Sequence, residues 1–368
     1  GVGSSANHYS GTFDGGGKRL EHLYSYHPTL DWAGLFGYTQ RDGLPVTALK
    51  NITIVSGSVT GRDYVGGIVG NAVTTEISGC SNAAEVTAGG NDAGGIAGWV
   101  ESGSVTASVN TGIVRADQNA GGIVGWGRGI EITACSNAAS GGVYGTISVG
   151  GIAGQIQYSE VFNSFNAAPV TSVGENSYYI GGVAGQMAGQ ITNITACYNT
   201  GAVLGVALAG GVAGYVIGNN NAITACYNTG DVGIPGGNAN GGVVGGGWST
   251  TLTACYNTGA VSGVTIAGGV MGIFDSGNIT ACYWLNLSGD GSLSPASANA
   301  GIGFIQSGIV TGSSATAFGS SDWPSALDDA EWGTGDGSGS GKYWKTLGGW
   351  NGGNYGRDSD FPKLWWEP

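Results

Sequence analysis

A five-residue signature, Gly-Gly-[Ile/Val]-x-Gly, recurs at Gly66, Gly94, Gly121, Gly150, Gly181, Gly210, Gly241 and Gly268, at intervals of 28, 27, 29, 31, 29, 31 and 27 residues. A unit of this size cannot bury its own apolar residues and must stack on its neighbours. The chain has 368 residues, enough for two or three ordinary domains, yet the repeat argues for one elongated body. Glycine supplies 76 of them, far above the usual ~7%. The glycines sit inside apolar signatures without a triplet period, which excludes both collagen and a flexible linker.

Aligned on the repeat, the chain resolves into columns. One runs Ile77, Val105, Ile132, Val161, Ile194, Ile223, Leu252, Ile279, and a second Ile68, Ile96, Ile123, Ile152, Val183, Val212, Val243, Val270. A third holds Val86, Val114, Val143, Val170, Val203, Val232 and Val261. All three should point inward. Cys80, Cys135, Cys197, Cys226, Cys255 and Cys282 form another column, with Ser108 and Ser164 in its vacant coils. Strict strand alternation with the leading aliphatic residue would expose this column, so a corner is expected just before it, with the small residue ahead of the cysteine inward. Two residues beyond it lie Asn82, Asn110, Asn137, Asn166, Asn199, Asn228 and Asn257, set at a turn where stacked amides can hydrogen-bond along the axis. Val, Ile, Thr and Tyr between glycines favour strands. The expected fold is all-β: a parallel β-helix or β-solenoid, right-handed, with three short strands per coil, eight or nine coils and a cap at each end. Coil spacing would be roughly 4.8 Å.

Residues 1–60 read as an N-terminal cap and degenerate first coil, 61–288 as the solenoid, and 289–368 as a Trp- and Gly-rich C-terminal cap. The last segment holds six of the eleven tryptophans: Trp323, Trp332, Trp344, Trp350, Trp365 and Trp366. They are expected to seal the solenoid end.

Net charge is −13, and no Lys, Arg or His occurs between Arg128 and Lys342. Nucleic acid requires a basic face, so that partner is excluded. No stretch of about 20 residues is apolar enough to span a membrane as a helix. The in-phase cysteines read as buried free thiols, small apolar fillers that do not report redox compartment. The opening Gly-Val-Gly-Ser-Ser has no charged or apolar leader, and we expect a signal peptide to have been removed before it.

Gly34-Leu-Phe-Gly37 and the repeated Gly-Gly-Ile-Val-Gly resemble the GLUG motif of bacterial surface proteins. Gly11-Thr-Phe-Asp-Gly-Gly-Gly17 is similar to the lead-in of such repeats, and Phe361-Pro-Lys-Leu-Trp365 to a common ending. Proteins with this motif include adhesin-like proteins and extensions of secreted immunoglobulin-cleaving metallopeptidases. The resemblance therefore implies an extracellular or bacterial cell-surface location. It brings no peptidase residues, since His-Glu-x-x-His is absent.

The residues themselves offer little chemistry. His8, His22 and His27 are the three histidines, spaced poorly for zinc. A uronate lyase needs a base and cations, which a body without a basic residue from 129 to 341 can hardly supply. Glu76, Glu131 and Glu160 precede the leading aliphatic residue of their coils and are the candidates for a two-carboxylate hydrolase. Ser288–Ser292, Asp328-Asp329 and Asp358–Asp360 offer oxygen ligands for Ca²⁺; no other cofactor is implied. Phe165, Tyr198, Tyr227, Tyr256 and Tyr283 follow the Cys or Ser of five consecutive coils, a candidate aromatic contact ladder. The expectation is a monomeric, non-enzymatic, adhesin-like binding or structural protein for a glycan or extracellular protein. The alternative is a glycan-active hydrolase using acids on one solenoid face.

Overall fold

The computed structural model describes residues 2–285 except 42, 44, 45, 139 and 265, the strands at 293–295, 302–305, 309–311 and 344–346, and residues 363–367. Among them there is no helix, and the protein is a β-solenoid of parallel ladders. Eight turns carry the glycine signature, and strands Phe36–Gln40 and Ile302–Ile305 add one at each end.

One turn shows the pattern: Thr75–Ser78, Ser81–Asn82, Glu85–Ala88, Asn91–Gly94 and Ala97–Glu101. Each strand pairs in parallel with its counterparts one turn away, giving five ladders. Five strands per turn replace the three anticipated, because two of the expected strands are broken. The first breaks at the residue before the cysteine column, which is left-handed in eight successive turns: Gly79, Ala107, Ala134, Asn163, Ala196, Ala225, Ala254 and Ala281 (φ 47 to 61°). The other breaks inside the glycine signature.

The left-handed corner returns the cysteine column to the interior. It also corrects one expectation: the small residue before each cysteine points out, not in. Gly79, Ala107 and Ala134 are exposed. Smallness at this position suits a backbone conformation that costs an L-residue about 1–2 kcal/mol.

The core has two lobes. The larger gathers the Ile77, Cys80 and Ile68 columns. The smaller gathers the Val86 column and the Val65/Ala93 positions of the fourth ladder. Nearly all these side chains are fully buried, each aliphatic one contributing about 1.5–3 kcal/mol. Between the lobes, the asparagine column meets the second signature glycine. A Cβ on Gly95 would collide with the Gly122 carbonyl and the Asn110 side chain, so only glycine fits there.

The asparagines form a continuous ladder. Nδ2 of each donates to Oδ1 of the next, from Asn82→Asn110 at 3.0 Å to Asn228→Asn257 at 2.7 Å. The same nitrogen donates to the backbone carbonyl two residues on, as in Asn199→Gly201 at 2.7 Å. Trp284 stands opposite Asn257 and ends the run.

The six cysteines are free and buried. Cys226 Sγ donates to the Thr224 carbonyl at 3.2 Å and accepts from the Cys197 N–H at 3.4 Å. Ser108 Oγ does the same with Thr106 (2.9 Å) and Cys80 (3.2 Å). The column therefore requires a small side chain with one polar hydrogen, which is why it holds only Ser and Cys. Cys226→Ser should change stability by less than about 1 kcal/mol, whereas Cys226→Ala should cost about 1–2 kcal/mol by leaving the buried Cys197 N–H unpaired, the Thr224 carbonyl still accepting from the Ala196 N–H. Urea unfolding of both variants checks this. Burial pushes the Cys80 thiol up to about 11 and Cys135 up to about 12. All six sulfurs are shielded from solvent and should therefore resist alkylation at pH 8 until the chain unfolds.

Candidate binding surface

The anticipated aromatic ladder lies in register on the second ladder, Phe165 against Tyr198, then Tyr227, Tyr256 and Tyr283. Successive rings from Phe165 to Tyr256 stack at 4.9 Å with interplanar angles of 4 to 9°. Each ring face is thus taken by its neighbours, and a ligand lying along the axis would meet ring edges only. Moreover, Tyr227, Tyr256 and Tyr283 are buried, at 6%, 1% and 1% exposure. What covers part of the ladder is the chain's own segment 364–367: Leu364 packs into the same cluster and Trp366 stacks on Tyr198 at 5.4 Å. Burial, reinforced by the Glu367 charge, pushes the Tyr198 hydroxyl up to about 12. The tryptophans anticipated as an end seal include this Trp366, which sits on the solenoid's flank. Trp323, Trp332 and Trp350 lie outside the described residues, and Trp344 is described as backbone only.

A second aromatic column was not singled out from the sequence. On the fifth ladder, Tyr38, Asn71, Trp99, Trp126, Gln155, Gln186 and Tyr215 align in register. Apart from Asn71 they are half-exposed. Trp99 and Trp126 pack with centroids 3.6 Å apart. The signal was present: from Asn71 on, each is the fifth residue after the first signature glycine.

Beside this column runs another, made of the residues that lead into the fourth ladder: Trp32, Tyr64, Asp92, Asn119, Ser148, Tyr179 and Leu208, all left-handed (φ 48 to 65°). That conformation brings Trp32, Tyr64, Ser148 and Tyr179 against the fifth-ladder column. Trp32 meets Tyr38 edge-on at 5.7 Å, and Tyr64 meets Trp99 at 5.4 Å. Tyr179 stacks on Tyr215 at 4.8 Å. Ser148 Oγ donates to Gln186 Oε1 at 3.4 Å. The last signature glycine makes the approach feasible: a Cβ on Gly98 would strike the backbone of Tyr64 and Val65.

Asp92 is the acid of this face. It is 3% exposed and accepts from Asn119 Nδ2 at 2.7 Å. Burial pushes its carboxyl up to about 7, and the Asp63 charge adds to the rise. At the N-terminal end the face adjoins a pocket of about 380 Å³ lined by His27, Asp31, Trp32 and Arg62, among others. Arg62 there holds Asp31 through two hydrogen bonds, at 2.8 and 2.6 Å.

The candidate hydrolase acids are elsewhere. Glu131 and Glu160 are neighbours in register on the first ladder, while Glu76 stands opposite Ser104. All three are exposed, and Glu131 accepts from Thr133 Oγ1 at 2.9 Å. The three candidate Ca²⁺ segments lie outside the described residues. Among the described residues no group of three or more His, Cys, Asp or Glu is placed to hold a metal, and no helix is long and apolar enough to cross a membrane. No family model matches the chain, and neither the curated proteins nor the solved structures contain a match to it.

Proposed function

We propose that this chain is a non-enzymatic, adhesin-like binding solenoid of the GLUG-motif kind, acting outside the cell, whose aromatic and amide face holds an extended glycan. The observation that carries the reading is the in-register, half-exposed column from Tyr38 to Tyr215. It sets aromatic edges and amide groups side by side, at the roughly 4.8 Å spacing of parallel strands. A sugar polymer offers hydroxyls to amides and C–H surface to aromatic rings, and a repeating ligand suits a repeating surface. The net charge of −13 turns polyanions away from the body. A protein segment is the competing ligand of the same face.

A glycan and extracellular-matrix array tests it. Binding should occur without turnover. Trp99→Ala combined with Trp126→Ala should weaken it at least tenfold, about 1.4 kcal/mol. Tyr198→Ala, on the other flank, should leave it unchanged. No binding to any glycan, or binding indifferent to the Trp pair, sinks the proposal. Release of reducing sugar that disappears in Glu131→Gln would instead favour the hydrolase alternative.

A further inference from the structure

The segment Leu364–Glu367 touches the solenoid in a manner that a general apolar cover would not require. Its Trp366 Nε1 donates to the Ala196 carbonyl at 3.0 Å, across 170 residues of sequence. The Trp366 ring lies near-parallel to Tyr198 (24°) and 6.2 Å from Phe165. Tyr227 Oη donates to Glu367 Oε2 at 2.8 Å. The other carboxylate oxygen accepts from the Leu364 N–H at 2.6 Å, and the Glu367 N–H returns a bond to the Leu364 carbonyl at 3.2 Å. The segment is therefore a closed turn that presents one leucine, one tryptophan and one glutamate together. Leu364 is fully buried and Glu367 is 6% exposed.

The surface beneath is specific to one stretch of the solenoid. Its floor is the left-handed alanine column, Ala196, Ala225, Ala254 and Ala281, and its wall is the aromatic ladder. In the turns before Phe165 the wall position holds Ser81, Val109 and Ser136, and the floor residues Gly79, Ala107 and Ala134 are exposed. The alanine floor and tyrosine wall coincide where Thr-Ala-Cys-Tyr repeats, at 195–198, 224–227, 253–256 and 280–283. A stack of tyrosines also supplies Tyr227 Oη as a fixed donor for a carboxylate.

We propose that this trough is a peptide-recognition site for a Leu-x-Trp-Glu turn, occupied in this chain by its own residues 364–367. Recognition rests on three features: an alanine-floored slot for Leu, the flank of the Phe165–Tyr198 stack plus the Ala196 carbonyl for Trp, and the Tyr227 hydroxyl for Glu. The site lies on the second ladder and is independent of the fifth-ladder face. A partner, including a second copy of the chain, gains entry only by presenting the same turn and displacing the resident one.

The test uses the full chain and a fluorescent Lys-Leu-Trp-Trp-Glu peptide. Trp366→Ala weakens the resident turn without altering the trough. That variant should bind the peptide at least tenfold more tightly than the unaltered chain, in which the site is filled. A Glu→Gln version of the peptide should bind at least fivefold more weakly. Adding Tyr227→Phe to the Trp366→Ala chain should weaken the Glu peptide equally, while leaving the Gln peptide nearly unaffected. Nitration of Tyr198 by tetranitromethane should rise in the Trp366→Ala chain and fall again with saturating peptide. Equal binding by both chains, no binding to the variant, or indifference to Tyr227 would overturn the proposal. Circular dichroism confirms that each variant keeps its strands.

Discussion

Asn199→Asp should destabilise the protein by about 3–5 kcal/mol at pH 8, although the two side chains have nearly the same shape. Asn199 Nδ2 donates to the Gly201 carbonyl and to Asn228 Oδ1, both at 2.7 Å, while its Oδ1 accepts from Asn166 at 2.7 Å. An aspartate places an oxygen where that nitrogen stood. Two acceptors then face a third in a site with no exposure to water. Each buried group left unpaired costs about 1–3 kcal/mol, and a buried charge without a partner costs more. Protonation restores one donor of the two, so the penalty should shrink as pH falls. Urea unfolding at pH 8 and pH 4 measures both parts. An equal and small loss at the two pH values would mean that the amide ladder does not bind one turn to the next.

The opposite exchange, Asp92→Asn, should stabilise. Asp92 already accepts from Asn119, and asparagine keeps that acceptor and tolerates the left-handed backbone (φ 56°). The folded carboxyl titrates at about 7 against 3.8 in the unfolded chain. Between those values the native state holds a proton that the unfolded state has lost. Stability therefore falls as pH rises through this window and is level again above it. At about 1.4 kcal/mol per pH unit the full loss approaches about 4 kcal/mol. The variant should thus match the unaltered chain near pH 4 and exceed it by about 2–4 kcal/mol at pH 8. Denaturant midpoints at the two pH values check this. A variant no more stable at pH 8 would show that Asp92 is ionised and well solvated in the folded chain.

The two substitutions differ in sign because each position has its own hydrogen-bond complement. At 199 two acceptors demand a nitrogen; at 92 a lone amide donor is content with either oxygen. Sequence columns revealed the first of these and not the second. The asparagine column is uniform over seven turns, so its chemistry could be read from the period. The column of Asp92 holds Trp, Tyr, Asp, Asn, Ser, Tyr and Leu. Its members share a backbone conformation rather than a side-chain type, and composition gives no hint of that.

The aromatic residues divide in the same way. The Phe165–Tyr283 ladder stood out because five consecutive turns repeat it, and its stacking follows from strand register. Trp99 and Trp126 share an offset from the glycine signature, but their neighbours Asn71, Gln155 and Gln186 disguise the column. The glutamate column was legible too, and its solvated position follows from an outward place on a strand.

Read alone, the period of 27 to 31 residues determined the stacking of turns, the all-β class and the inward aliphatic, cysteine and asparagine columns. A repeat states which residue lies above which, and stacking needs nothing else. The tertiary structure decided the five-strand turn, the two-lobed core, the flank that carries half-exposed aromatics and the flank closed by Leu364 and Trp366. Those outcomes depend on left-handed corners and on a contact between residues 196 and 366, and neither is encoded in the phase of a repeat.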